Sequence, residues 1–232
     1  MNIFRFNRKG DADQFTIKDN IRKVESFQKG DIRTIESEVE QLDGGSSAGN
    51  SATSTRAWYQ KKFRNCVVLG DSLTEGIEVY GWLSKQQVFG SVGGSVLTDG
   101  KLFKKAAATY PKAAFFAFGM NDMGNYRGRP DAFISDYSSL LASFHKKSKD
   151  TKICVCSIST PTKKAIKRKK MLGHYKEFNK AIQAMCKKEG YTYIDTTDLL
   201  PNHPDLYARD GVHAASAYYP MWMDRMIEAA GL

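Results

Sequence analysis

From Trp58 onward the sequence alternates short, almost unbroken apolar runs with longer stretches of helical spacing, and this alternation constrains the fold more than any other feature. The runs are Cys66–Leu69, Val88–Ser91, Ala113–Phe118, Ile153–Ile158 and Tyr191–Ile194. Each is rich in Val, Ile, Phe or Cys and too short for a helix, so each predicts a strand. Helical patterns fall between them: after Leu73, over Leu97–Thr109, Asp131–Lys147 and His174–Lys188, and finally over Ala215–Ala230. Strands apolar throughout need cover on both faces. The pattern therefore predicts an α/β fold with a five-stranded parallel sheet and helices on either side. In such sheets the reactive groups gather beyond the carboxyl ends of the strands.

A chain of 232 residues suffices for one such domain and an appendage, but not for two ordinary domains. The appendage is expected at residues 1–55. Within it, Ile21–Leu42 spaces Val24, Phe27, Ile32, Ile35, Val39 and Leu42 among charges as an amphipathic helix does. Residues 44–55, GGSSAGNSATST, lack charge and bulk and read as a flexible linker. The α/β domain itself is expected over residues 56–232. No apolar stretch approaches the roughly 20 residues of a spanning helix, and the N-terminus lacks the apolar core of a secretory signal. A cytoplasmic location is the expectation.

The four cysteines are too few for a disulfide framework and read as reduced core residues. Cys154 and Cys156 are expected on opposite sides of the sheet, which would separate their sulfurs and argue against a metal or redox pair. Nor do other His, Cys, Asp and Glu residues show ligand spacing, so neither a metal nor an organic cofactor is expected.

Three segments carry chemistry. The first strand runs into Gly70-Asp71-Ser72-Leu73, a strand-to-helix turn that presents a serine hydroxyl and helix amides together. Ser72 fits a nucleophile there, and with Glu75 three residues on it fits a helix cap equally well. The third strand delivers Gly119, Asn121 and Asp122 to the same edge; an Asn amide can donate to an oxyanion, or serve a turn. Between these, Gly93 and Gly94 can expose a backbone N–H or simply allow the chain to bend. Near the C-terminus, Asp210 precedes His213 by three residues, a spacing that can set a carboxylate against one imidazole nitrogen and leave the other to accept a proton. His203, between Asn202 and Pro204, is the competing base, and Ser95 the nearest competing hydroxyl.

Taken in order, Gly70–Leu73, Gly94, Gly119-x-Asn121-Asp122 and Asp210-x-x-His213 resemble the four blocks of the SGNH, or GDSL, hydrolase superfamily over about residues 60–230. The resemblance implies a three-layer flavodoxin-like sandwich and a serine esterase: Ser72 as nucleophile, His213 as base, Asp210 as its orienting carboxylate. It further implies an oxyanion hole formed by the amides of Ser72 and Gly94 and the Asn121 side chain.

Superfamily members hydrolyse acetylated sugars, lysophospholipids, thioesters and small esters, so the resemblance implies a reaction type more than a substrate. The short single-domain layout is similar to that of bacterial-type members that act on acetylated glycans, and a short-chain, O-acetyl ester on a carbohydrate is the expected substrate class, with a lysophospholipase or thioesterase as alternative. Tyr80, Trp82 and Tyr126 lie near the motifs and suit either platforms for sugar rings or places in the core. Charge adds a third feature. Net charge is +10, and residues 1–50 hold 8 Lys/Arg against 9 Asp/Glu, so a net +11 remains on the rest. Six of the eight residues of Lys163–Lys170 are basic. Such a run suits an anionic surface or, without catalysis, an anionic glycan; no nucleic-acid partner is expected.

Overall fold

The computed structural model describes residues 48–232, with side chains from residue 55 onward. The amphipathic segment expected at Ile21–Leu42 lies outside the described residues. Five strands, β1 (Cys66–Gly70), β2 (Val88–Gly90), β3 (Ala113–Ala117), β4 (Lys152–Cys156) and β5 (Thr192–Ile194), form one sheet in the order β2-β1-β3-β4-β5, every neighbouring pair parallel. This is the flavodoxin-like order, with its topological switch beside β1.

Side chains alternate along each strand and divide the interior into two cores. Val67, Leu69, Ala114, Phe116, Ile153 and Val155 pack against α3 (Gly100–Ala107), α5 (Pro130–Lys147) and α7 (Tyr175–Glu189). On the other face Val68, Phe115 and Cys154 meet α1 (Ala48–Lys62), α2 (Ser72–Val79) and α9 (Tyr218–Ala230) through Tyr59, Ile77, Tyr218 and Trp222. A fully buried side chain of this size contributes about 1.5–3 kcal/mol relative to exposure. Shorter turns of helix, α4 (Asp122–Asn125), α6 (Lys163–Arg168) and α8 (Leu199–Asn202), sit in the connections, and two 3₁₀ segments cover Lys170–His174 and Pro204–Leu206.

Two expectations are corrected. The run expected to be a linker through residue 55 is helical from Ala48, since α1 extends back into it; alanine at 48, 52 and 57 favours the helix that Tyr59 and Lys61-Lys62 continue. Cys154 and Cys156, being two residues apart on a strand, share a face of the sheet and the same core, not opposite ones. They remain structural: all four cysteines are unpaired and buried, and burial pushes the Cys66 and Cys154 thiols up to about 11 and Cys186 to about 12. Among the described residues no helix is long and apolar enough to cross a membrane.

Candidate active site

The turn after β1 is made possible by Gly70. A Cβ there would lie 2.1 Å from Thr74 Oγ1 and 2.5 Å from the Ala117 carbonyl, so only glycine lets the chain swing directly into α2. The cap of that helix is Asp71, not Ser72: its Oδ1 accepts from the Leu73 N–H at 3.0 Å, and its carbonyl accepts from Glu75. The serine hydroxyl is thereby left unspent. Its Oγ lies 2.8 Å from His213 Nε2, across 141 residues of sequence. The Ser72 N–H, in the first turn of the helix, has no intrahelical acceptor.

His213 sits on a tight loop closed by the Tyr207–Ala214 bridge and bent at Gly211, where φ is +72°. Asp210 organises this loop. Its Oδ1 accepts from the amides of Val212 (2.9 Å) and His213 (3.0 Å), and its Oδ2 meets His213 Nδ1 at 2.5 Å. Because a carboxylate can only accept, Nδ1 carries the proton and Nε2 is free to take one from Ser72. Burial pushes the Asp210 carboxyl up, but the His213 bond and charge with the two amides outweigh it and hold it well below the usual carboxylate range. His213 is raised above its ordinary 6.5, chiefly by the bond to Asp210, partly offset by burial. Both side chains are nearly half exposed, at 44% and 47%, which opens the site to substrate and lets solvent screen the pair.

Asn121, in the turn after β3, donates from Nδ2 to the Gly94 carbonyl at 3.0 Å, leaving the second amide hydrogen for another acceptor. The Gly94 amide differs from expectation: it donates to the Ser91 carbonyl at 3.0 Å and is spent in a turn. Gly94 is required for closeness, since a Cβ would lie 2.5 Å from Ser91 Oγ and 2.8 Å from Asp99 Oδ2. Gly93, at φ +74°, provides the bend. Three carboxylates that sequence reasoning gave no part to hold these loops. Asp99 accepts from Ser91 Oγ and the Ser95 amide, both at 2.9 Å; Asp122 accepts from the Val96 amide at 3.0 Å; Asp71 caps α2. Burial pushes Asp71 up to about 6 and Asp122 to about 7. An acidic residue directly after Gly70 and after Asn121 was the available signal for two of them.

The competitors lie elsewhere. His203 is exposed, with Nδ1 against the Leu199 carbonyl at 2.9 Å, and Ser95 is buried against Thr98. Tyr126, a candidate sugar platform, is a core residue: it is buried and donates to Asp136 at 2.7 Å. Trp82 donates to Ser216 and lies beneath Arg56, and Tyr80 packs at a tilt against Tyr219. Among the described residues no three His, Cys, Asp or Glu side chains converge as a metal would require. Beside Ser72 and His213 lies a cavity of about 20 Å³ lined also by Leu73, Met120, Ile158 and Val212.

The profile of the GDSL-like lipase/acylhydrolase family matches residues 68–219, a span that contains Ser72, Asn121, Asp210 and His213. The chain belongs to this family. As a GDSL-like acylhydrolase it is a carboxylic ester hydrolase. Solved structures share the fold. A GDSL-like lipase from Bacteroides thetaiotaomicron superposes with a TM-score of 0.56 at 18% identity, covering 79% of this chain and 96% of its own. A lipase/acylhydrolase from Enterococcus faecalis gives 0.57 at 16%, covering 72% and 96%. A catalytic mutant of an acetylxylan esterase from Geobacillus stearothermophilus gives 0.54 at 14%, covering 72% and 94%. No curated protein sequence matches the chain.

Proposed function

We propose that this acylhydrolase removes short acyl groups, acetyl first among them, from a carbohydrate by a serine acyl-enzyme mechanism. The observation that carries the reading is the unbroken hydrogen-bonded series from Ser72 Oγ through the His213 ring to Asp210, with Asp71 relieving the serine of capping duty. Ser72 Oγ bonds to the ester carbonyl carbon as His213 Nε2 takes the hydroxyl proton. The resulting oxyanion accepts from the Ser72 amide and the free hydrogen of Asn121 Nδ2. Collapse breaks the bond to the alcohol, which leaves with the proton from His213, and water then repeats the sequence on the acyl-serine. Gly94 serves here through its carbonyl, holding Asn121, while its own amide stays with Ser91.

Small acyl size is supported by the cavity beside Ser72, whose roughly 20 Å³ suits a methyl group rather than a long chain. Carbohydrate is supported by the fold shared with an acetylxylan esterase. A second reading, a lysophospholipase-type acylhydrolase, draws on Val92 and Leu97, 53% and 57% exposed on the loop that holds Gly94. Hydrolysis of p-nitrophenyl esters from C2 to C12 separates the two. We expect kcat/KM to be greatest at C2 or C3 and to vanish in Ser72→Ala. A maximum at C8 or beyond would replace the deacetylase reading with the lipid one, and substantial turnover by folded Ser72→Ala would remove the nucleophile assignment.

A further inference from the structure

Beyond the triad, the most heavily charged feature of the described surface is the basic run, and the fold carries it to the rim of the site. Lys163, Lys164, Lys167, Arg168, Lys169 and Lys170 are all exposed, while Ala165 is buried and Ile166 half-buried, so the helix α6 turns its apolar side inward and its cations outward. Thr162 caps it, accepting from the Ala165 amide, and ties it to the triad loop by donating its own amide to the Gly211 carbonyl at 2.9 Å. Arg168 donates to the carbonyl of Asp210 itself. On the other side the 3₁₀ segment Lys170–His174 packs on α4, in the same connection as Asn121, and that connection continues into the exposed Arg127 and Arg129.

Arg168 apart, these cations make no side-chain hydrogen bond within the described residues. No Asp or Glu occurs between Ser157 and His174, and among the described residues none of the six pairs with a carboxylate. Six like charges in eight residues repel one another, a cost that an anionic ligand removes. Asp210, the acid close at hand, already has both oxygens engaged, Oδ1 by the amides of Val212 and His213 and Oδ2 by His213 Nδ1.

From this placement we propose that the ester substrate itself carries a negative group, a carboxylate or phosphate on the alcohol side, which the rim formed by Lys163–Lys170 with Arg127 and Arg129 attracts and orients over Ser72. The inference rests on Ser72 being the nucleophile. It points to a soluble acidic glycan ester over a membrane surface, because a helix that lies on lipid needs a broad exposed apolar face, and that of α6 is turned into the protein.

The test compares kcat/KM for O-acetylated galacturonan oligomers, an acetylated sugar phosphate and neutral acetylated xylo-oligomers, each relative to p-nitrophenyl acetate. The anionic-to-neutral ratio should exceed about 10 at 20 mM salt and fall at least several-fold by 500 mM, as the screening length contracts. The arm with the larger ratio identifies carboxylate or phosphate as the recognised group. The fourfold variant Lys163→Gln, Lys164→Gln, Lys167→Gln, Lys170→Gln should bring the ratio near unity. The same charge removed at the opposite edge of the sheet, by Lys112→Gln, Lys149→Gln, Lys187→Gln and Lys188→Gln, should leave it high. An equal fall in both variants, a ratio near unity in the wild type, or activation by anionic phospholipid vesicles would overturn the proposal. Failure of the wild type to cleave even p-nitrophenyl acetate would instead strike the hydrolase mechanism beneath it.

Discussion

Asp210→Asn separates the two tasks of this carboxylate. An asparagine can keep its Oδ1 on the amides of Val212 and His213, so the loop survives; its NH₂ then faces His213 Nδ1, which must become the acceptor. The imidazole proton moves to Nε2, the atom that should receive the proton of Ser72. A wrong tautomer in intact geometry costs about 10⁴ in kcat in the serine-protease case that defines the effect. We expect a loss of roughly 10³ to 10⁴ in kcat with KM little changed. Asp210→Ala removes both amide acceptors as well; at about 1 kcal/mol each, reduced for a half-exposed site, this is about 1–2 kcal/mol. For a domain of this size that is roughly 2–8 °C in Tm. Thermal melts and p-nitrophenyl acetate kinetics on both variants check the separation. Retention of a tenth or more of wild-type kcat by Asp210→Asn, or a melting loss equal to that of the alanine variant, would refute the reasoning.

Three further outcomes follow from the site. The proposed base, His213, can accept a proton only when neutral, and its value is raised above 6.5, so kcat/KM should fall with acid through a midpoint above 6.5; removing the Asp210 charge should move that midpoint down, and a wild-type midpoint below 6.5 would speak against His213. Asn121→Ala should lower kcat by about 10² to 10³ and raise KM far less, because the oxyanion exists only along the reaction path; a change confined to KM in steady-state kinetics contradicts the role. Gly70→Ala should cost more than about 2 kcal/mol and most activity, since its Cβ meets Thr74 and the Ala117 backbone inside van der Waals distance; a wild-type melt would mean the turn yields more easily than its geometry indicates.

The sheet was legible because strands buried on both faces read as unbroken apolar runs: all five expected runs overlap the five observed strands, with ends differing by at most two residues. The helix α6 was not legible as a helix. Its six residues hold only Ala165 and Ile166 as apolar partners, too few for a period, though Pro161-Thr162 ahead of it is a cap signal. Ser72 stood equally as nucleophile and cap because Asp71 and Ser72 are both good capping residues, and only coordinates tell which oxygen meets the helix amide. Gly94 and Tyr126 stayed open for a related reason. A glycine in a motif does not reveal whether its N–H or its missing side chain matters, and a tyrosine near a motif does not reveal which way its ring points.

The 141 residues between Ser72 and His213 have a consequence in time as well as in space. A ribosome adding about 5–20 residues per second completes that interval in roughly 7–28 s. During it the serine has been made but has no base, and β5, which closes one side of the sheet, is among the last elements to emerge. The hydroxyl therefore stays an ordinary alcohol while the chain is being born, unable to acylate itself or attack neighbouring esters. On the proposed mechanism, reactivity waits for the loop that carries His213.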